Sequence, residues 1–496
     1  MGKPGKSKGE KSMKTHSVKF NFIMNAILTV SSVLFPLITF PYISRVLLVA
    51  GNGKVAFATS VVSYFTMFAS LGLPTYGVRA CAKVRDDKEK LSQTVQELLI
   101  ISGITTAITY IVFFVSLFVI PEFAAERKLL MVTALSIGLT SIGVQWLYNA
   151  LEQYSYITTC ALVFKVIGMA LMFVLIRKPE DYVLYGFVDV VGSFGSYGLN
   201  FQRLRKFVSF KKTGSYNLRQ HIKPTLRFFL LSAATSVYLN LDVVMLQFMK
   251  GDIEVGYYNA GIKVKTVLVT CVTSLGTVML PRLSYYVQQE AEEAFRKLVA
   301  KALSFVLIVA TAVSIYFTLY AKESILLLAG KDFLPAVGPM VILMPTVLLI
   351  GLSNITGIQI LTPRGEEIKV VYSVTAGAVL DFVFNLILIP KFGADGAAFS
   401  TLMAEVLVLA IQGFGLHKEL KGIVKEIQVW KIILGLAGAT AAGYFAGALT
   451  NLGIFFTLCV SALFFFGTYG IILLMLRETF VTSTLESCLR LVKKRG

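Results

Sequence analysis

Along almost the whole chain, apolar runs of about 20 residues alternate with short polar segments, and each run is long enough to cross a bilayer as a helix. Fourteen such runs lie near 18–44, 54–78, 95–120, 129–148, 156–176, 182–202, 224–248, 256–281, 302–321, 333–361, 369–390, 395–416, 430–450 and 453–476. The pattern predicts an all-α polytopic membrane protein with about 14 transmembrane helices. Polar residues interrupt several runs at helical spacing. In the eighth run Asn259, Lys263, Thr266, Thr270, Thr273 and Thr277 recur at alternating intervals of 4 and 3, which places them on one face. The second run shows Thr59, Ser63, Thr66 and Ser70, the sixth Asp189, Ser193, Ser196 and Asn200, and the first Asn21, Asn25 and Ser32. Serine and threonine also serve as packing groups between membrane helices, which suffices for any single stripe. Lys263 is different. A cation at mid-bilayer costs roughly 2.5–3.5 kcal/mol and therefore faces a watery cavity or a partner. Lys265, about 200° further round the same helix, reads as structural.

Composition removes the soluble alternatives: 56% of the 496 residues are hydrophobic, only 15% are charged, and the mean hydropathy is +0.73. The formal net charge is +19. With both termini on one side, most of the 47 basic residues fall on that side, in the N-terminal tail, 79–92, 203–223, 282–301, 363–369, 417–431 and the segment after 476. The lysine and arginine bias makes that side cytoplasmic, which predicts a multi-pass protein of the cell (plasma or inner) membrane with both termini inside. Anionic lipid headgroups account for the charge without nucleic acid. The first 17 residues are basic and polar and Val18 already opens an apolar run, so no cleavable signal is expected. Five scattered cysteines imply no disulfide framework. His16, His221 and His417 fall far apart in polar connecting segments and read as solvated. No metal, cofactor or enzymatic activity is expected, and no nucleotide-binding motif is visible.

The chain echoes itself. Gly53, Gly72, Pro74 and Arg79 have counterparts in Gly256, Gly276, Pro281 and Arg282. Lys165 and Asp189 lie 24 residues apart on consecutive runs, as do Asp381 and Glu405, and a shift of 216 residues relates the two pairs. These echoes predict two parallel six-helix lobes around a central cavity, 18–203 and 224–416, plus two C-terminal helices at 430–476. A basic tail (1–17), a basic linker (204–223), a loop (417–429) and a basic C-terminal tail (477–496) complete the organisation. Lys165 and Asp189 have the signs of a structural ion pair. Asp381 and Glu405 cannot neutralise each other, so their proximity would make a candidate site for a coupling H+ or Na+. Asp242 ends a face with Ser232 and Thr235 and suits a nearby cation. The "GYFAG" stretch, Gly443 to Gly447, suits close helix packing.

Five stretches carry a family resemblance across most of the chain: "LFPLITFPYISRVL", "SLGLPTYGVRACAKVR", "LDVVMLQFMKGDIEVGYYNAGIKV", "LPRLS" and "LIPKFGADGAAFSTLMAE". In that order they resemble the polysaccharide repeat-unit (Wzx-type) flippases of the multidrug/oligosaccharidyl-lipid/polysaccharide exporter superfamily. The run "RVLLVAGNGK" departs from the Gly-containing turn that usually follows "RVL" there. The resemblance implies a flippase that carries polyprenyl-pyrophosphate-linked oligosaccharide from the inner to the outer leaflet by alternating access, for cell-surface polysaccharide biosynthesis. Polysaccharide polymerase machinery is then a candidate partner. On this reading Lys263, with Arg45, Arg79 and Arg282, would meet the pyrophosphate. Asn25, Thr59, Ser63, Asn259, Thr266 and Thr270 would meet sugar hydroxyls. Two alternatives stand beside it: a cation-coupled small-molecule or drug exporter of the same superfamily, and a non-transporting scaffold of polysaccharide assembly.

Overall fold

The computed structural model describes residues 18–211, 215–424, 427–449 and 453–493, and among these residues it contains helices and no strand. The tail 1–17 with His16 lies outside the described residues, as do the side chains of Thr277 and Cys488. The principal helices are α1 (Val18–Ser70), α2 (Leu73–Lys83), α3 (Lys88–Val119), α4 (Tyr154–Leu175), α5 (Tyr182–Phe194), α6 (Arg219–Lys250), α7 (Asp252–Gln288), α8 (Glu292–Leu319), α9 (Val337–Asn354), α10 (Glu367–Gly415), α11 (Val429–Leu449) and α12 (Ile454–Met475).

Eleven helical stretches among the described residues are long and apolar enough to cross a membrane. Two of them, Ile23–Lys83 with 61 residues and Glu367–Gly415 with 49, each hold two crossings, since one crossing uses about 20 residues. Each is broken where the backbone turns left-handed, at Leu48 (φ 58) and at Gly393 (φ 55). Asn52 stabilises the first break by donating from Nδ2 to the Leu48 carbonyl at 2.7 Å. Glu254 stabilises the second by accepting the Ala394 amide at 2.7 Å. The unusual run "RVLLVAGNGK" is thus a tight helix break and not an extended loop. The sixth apolar run is interrupted at Gly195, giving α5 and a second helix Ser196–Leu204. The fourth becomes three short helices between Arg127 and Ala150, with Val144 at φ 38. Ile355–Leu361, at the end of the tenth run, is a π-helical turn.

Apolar packing divides along the chain. Three buried clusters draw on residues between Ile43 and Val208. One large cluster draws on residues from Val243 to Leu473, joined by Phe40 and Val49 of α1. The two halves meet chiefly where α1 lies along α6 and α7. Gly53 and Gly256, noted above as an echo, are the crossing point. A Cβ on Gly53 would sit 1.8 Å from the Asp252 carbonyl oxygen, and one on Gly256 would sit 2.4 Å from that of Val49, so only glycine allows this backbone contact. The same end carries Arg45 Nη2 donating to the Leu327 carbonyl (2.7 Å), Ser44 Oγ donating to the Leu328 carbonyl (3.1 Å), and Lys54 paired with Asp252 (3.8 Å). At the opposite, basic end the halves are joined through the first turns of α6. There Gly72 (φ 73) lies against Thr225 and Phe229, and Phe68 meets Phe229 at 5.5 Å. The molecule is therefore pinned shut at the Gly53 end. The C-terminal pair packs as its glycines suggest, with Gly443 against Phe465 and its carbonyl accepting from Tyr320 Oη at 2.6 Å.

Candidate functional site

Two recesses meet at Asp189. One, of about 170 Å³, is lined by Thr59, Ser63 and Thr66 of α1, Thr133, Ser136 and Asp189. The other, of about 230 Å³, lies between α1, α4 and α5 and also touches Asp189. The polar stripes of the second and sixth runs thus converge. Lys263 of α7 faces Asp189 from the other half of the chain and feels its charge. It makes no hydrogen bond or ion pair with any described residue, and its side chain is exposed. Thr266, Thr270 and Thr273 continue its face; each donates to a carbonyl one turn back, at 2.8, 2.8 and 2.9 Å. Those bonds satisfy the hydroxyl hydrogens and leave oxygen lone pairs to accept from a ligand. Asn259, one turn before Lys263, is half-buried, while Asn25 and Thr59 are exposed.

The other expected cations are not gathered with Lys263. Arg45 is spent at the pinned end, where it donates to the Pro41, Leu326 and Leu327 carbonyls. Its three carbonyl partners explain why a cation tolerates that position, and they remove it from the Asp189 recesses. Arg282 donates from Nε to Tyr286 Oη at 2.9 Å, near the basic end of α7, and Arg79 is exposed on α2. Lys165 and Asp189 do not form the ion pair their spacing suggested. The Lys165 ammonium donates to Ser31 (3.0 Å) and Ser32 (2.9 Å), while the charge opposite Asp189 is Lys263.

A second polar cluster lies within the later half. Asp242 of α6 is 6% exposed and accepts from Tyr258, Thr401 (2.8 Å) and Asn385 (2.7 Å). Asp381 is 1% exposed and within hydrogen-bonding reach of Asp242, yet neither of its oxygens meets a donor among the described residues. Glu405 is buried, within hydrogen-bonding reach of Tyr238 and in electrostatic reach of Asp381, and Lys265 lies in electrostatic reach of all three acids. Three carboxylates thus face one ammonium. Two carboxylates this close repel unless a proton or cation lies between them.

Sequence reasoning missed one constellation. His221 is no solvated loop residue. It is 4% exposed, its Nε2 lies 2.7 Å from Glu97 Oε2, and its Nδ1 lies 2.7 Å from Tyr76 Oη. Glu97 also accepts from the Asn217 amide (2.9 Å), Gln220 (2.9 Å) and Gln93 (3.2 Å), which clasps the inter-half linker to α3. The available signal was Glu97 itself, an acid just inside an apolar run and therefore in need of partners. His417 is exposed and its Nδ1 lies 3.0 Å from the Phe414 carbonyl oxygen.

Comparison with known proteins places these features in context. The chain is 23% identical over 398 residues to the "Putative O-antigen transporter" of Escherichia coli (strain K12), covering 80% of this chain and 95% of that one. It is 25% identical over 413 residues to the protein of the same name from Shigella dysenteriae, covering 79% and 98%. Among solved structures, the lipid II flippase MurJ in an inward closed conformation superposes with a TM-score of 0.69 at 13% identity, over 93% of this chain and all of that one. An inward-facing MATE-family multidrug resistance transporter of the MOP superfamily gives 0.61 at 14% identity, over 81% and 99%. These likenesses establish the fold as that of a multi-pass, all-helical membrane protein. The family model described as "Polysaccharide biosynthesis protein" matches residues 18–287, more than half of the sequence. The chain belongs to the polysaccharide biosynthesis protein family.

Proposed function

We propose that this protein is a flippase that moves polyprenyl-pyrophosphate-linked oligosaccharide units from the cytoplasmic to the outer leaflet by alternating access. Lys263 carries the reading. It is an exposed ammonium on a membrane-spanning helix, set among Asn259, Thr266 and Thr270, and among the described residues it faces the single carboxylate of Asp189 and makes no hydrogen bond. A pyrophosphate brings the negative charge that such a group lacks, and the converging hydroxyls of Thr59, Ser63 and Thr66 suit a sugar headgroup. An apolar groove of about 370 Å³ lined by α7, α8 and α12, with Leu37 of α1, offers an isoprenoid tail an apolar surface. The basic end is assigned to the cytoplasm on the lysine and arginine bias of its loops. The pinned Gly53 end is then external.

Two sources of energy suit this arrangement. With the cell interior negative, each anionic charge moved outward gains roughly 2.3 kcal/mol per 100 mV. The Asp242, Asp381 and Glu405 cluster, with an acid excess over Lys265, is the candidate site for a coupling proton or sodium ion. The test uses liposomes that carry lipid-linked oligosaccharide in both leaflets and an external glycosidase. Wild-type protein should make the inner pool accessible, and Lys263→Ala should slow that exposure at least tenfold. Folded wild-type protein that performs no better than empty liposomes with a potential applied would reject the proposal.

A further inference from the structure

The recess between α1, α4 and α5 has a charge imbalance that the flippase reading leaves unused. Lys165 lies in a membrane-spanning helix and lines this recess, yet it forms no ion pair with a carboxylate among the described residues. Asp189, which also lines the recess, is matched instead by Lys263. The ammonium is held by Ser31 and Ser32, and both hydroxyls donate their own hydrogens to the Leu28 carbonyl, at 2.7 and 2.9 Å. Their lone pairs are therefore committed to Lys165, and the ammonium has a third N–H left over. An uncompensated cation at this depth is costly, and two neutral hydroxyls do not balance its charge. An anion would.

The shape of the recess narrows the choice of anion. Its volume of about 230 Å³ falls below the roughly 300–1,000 Å³ of pockets that take a drug-sized molecule, so it suits one sugar residue and not a whole repeat unit. Phe35, Tyr185 and Met169 supply apolar surface for the face of a sugar ring, and Asp189 and Ser193 supply acceptors for its hydroxyls. The walls are rigid where Gly168 and Gly192 bring α4 and α5 into backbone contact. A Cβ on Gly168 would lie 2.8 Å from the Gly192 Cα. A pyrophosphate has no ring to lie against Phe35 and Tyr185 and would leave these walls unused.

We propose that this recess is a sugar subsite that binds the carboxylate of a uronic-acid residue through Lys165, distinct from the pyrophosphate site at Lys263. The proposal rests on the flippase reading and assigns the repeat unit an acidic sugar. Its test needs no transport. Purified protein in detergent is titrated with free glucuronate, glucose and inorganic pyrophosphate, with ligand-observed NMR as the readout, for wild type, Lys165→Gln, Lys165→Arg and Lys263→Gln. Glucuronate should bind at least about tenfold more tightly than glucose. Lys165→Gln should abolish that preference, whereas Lys165→Arg and Lys263→Gln should retain it. Equal binding of glucose and glucuronate, or a preference that survives in Lys165→Gln, overturns the subsite. Pyrophosphate binding that is lost in Lys165→Gln and kept in Lys263→Gln also overturns it, by making the recess the phosphate site. If glucuronate binds as expected while liposomes show no exposure, the subsite stands and the flippase reading falls. The converse result sinks the subsite alone.

Discussion

Replacing Glu97 by alanine should loosen the linker between the two halves without unfolding either one. Four donors converge on this carboxylate: His221, the Asn217 amide, Gln220 and Gln93. Asn217 and Gln220 are exposed, so water replaces Glu97 for them at little cost. His221 is 4% exposed and has no such substitute. Loss of a buried hydrogen bond to a charged acceptor is worth about 1.5–3 kcal/mol, so we take about 2 kcal/mol for local opening. That raises the open population about thirtyfold. The linker carries Arg205, Lys206, Lys211 and Arg219, which makes trypsin a direct probe of opening. When opening is fast relative to cutting, cleavage tracks the open population, and the mutant should be cut about thirtyfold faster than wild type. Glu97→Gln, which keeps an acceptor, should fall between them. A linker cut equally fast in wild type and Glu97→Ala would show that the clasp holds nothing.

The later-half acids and the glycine crossing give two further predictions. In liposomes with an imposed sodium or proton gradient, Asp381→Asn should remove the dependence of exposure on that gradient while leaving its dependence on membrane potential; an unchanged gradient response would clear Asp381 of coupling. Gly256→Ala puts a methyl 2.4 Å from the Val49 carbonyl oxygen and should cost roughly 1–3 kcal/mol, read as a lower Tm in detergent. Gly103→Ala, with nothing within 4 Å of its new methyl, should leave Tm unchanged or raise it, and equal effects at both glycines would refute the close-approach argument.

Much of the fold was legible because membrane helices declare themselves locally, through the length and hydropathy of each run. The glycine echo was legible for a similar reason, since Gly53 and Gly256 each sit beside a helix break of their own half. Pairing between runs was not. Asp189 took Lys263 from the other half as its counter-charge, and the ammonium at the matching level of the neighbouring helix turned to Ser31 and Ser32. Spacing places two side chains at one depth but does not fix their rotation about each helix axis. Arg45 was misjudged on similar grounds. A cation near the end of a crossing serves a ligand or free carbonyls equally well, and only the neighbouring turn at Leu326 and Leu327 decides between them. His221 shows the reverse error, because a polar connecting segment is assumed solvated until the acid that buries it is known.

Alternating access requires the Gly53 end to open, so the most direct measurement locks that end. Lys54 and Asp252 lie 3.8 Å apart across the two halves. On a background free of native cysteines, Lys54→Cys and Asp252→Cys can be joined by a short, cleavable thiol crosslinker. In liposomes carrying lipid-linked oligosaccharide, the crosslinked protein should fail to expose the inner pool to external glycosidase, and cleaving the crosslinker should restore exposure. Exposure that runs as fast with the end locked as with it free would contradict the account.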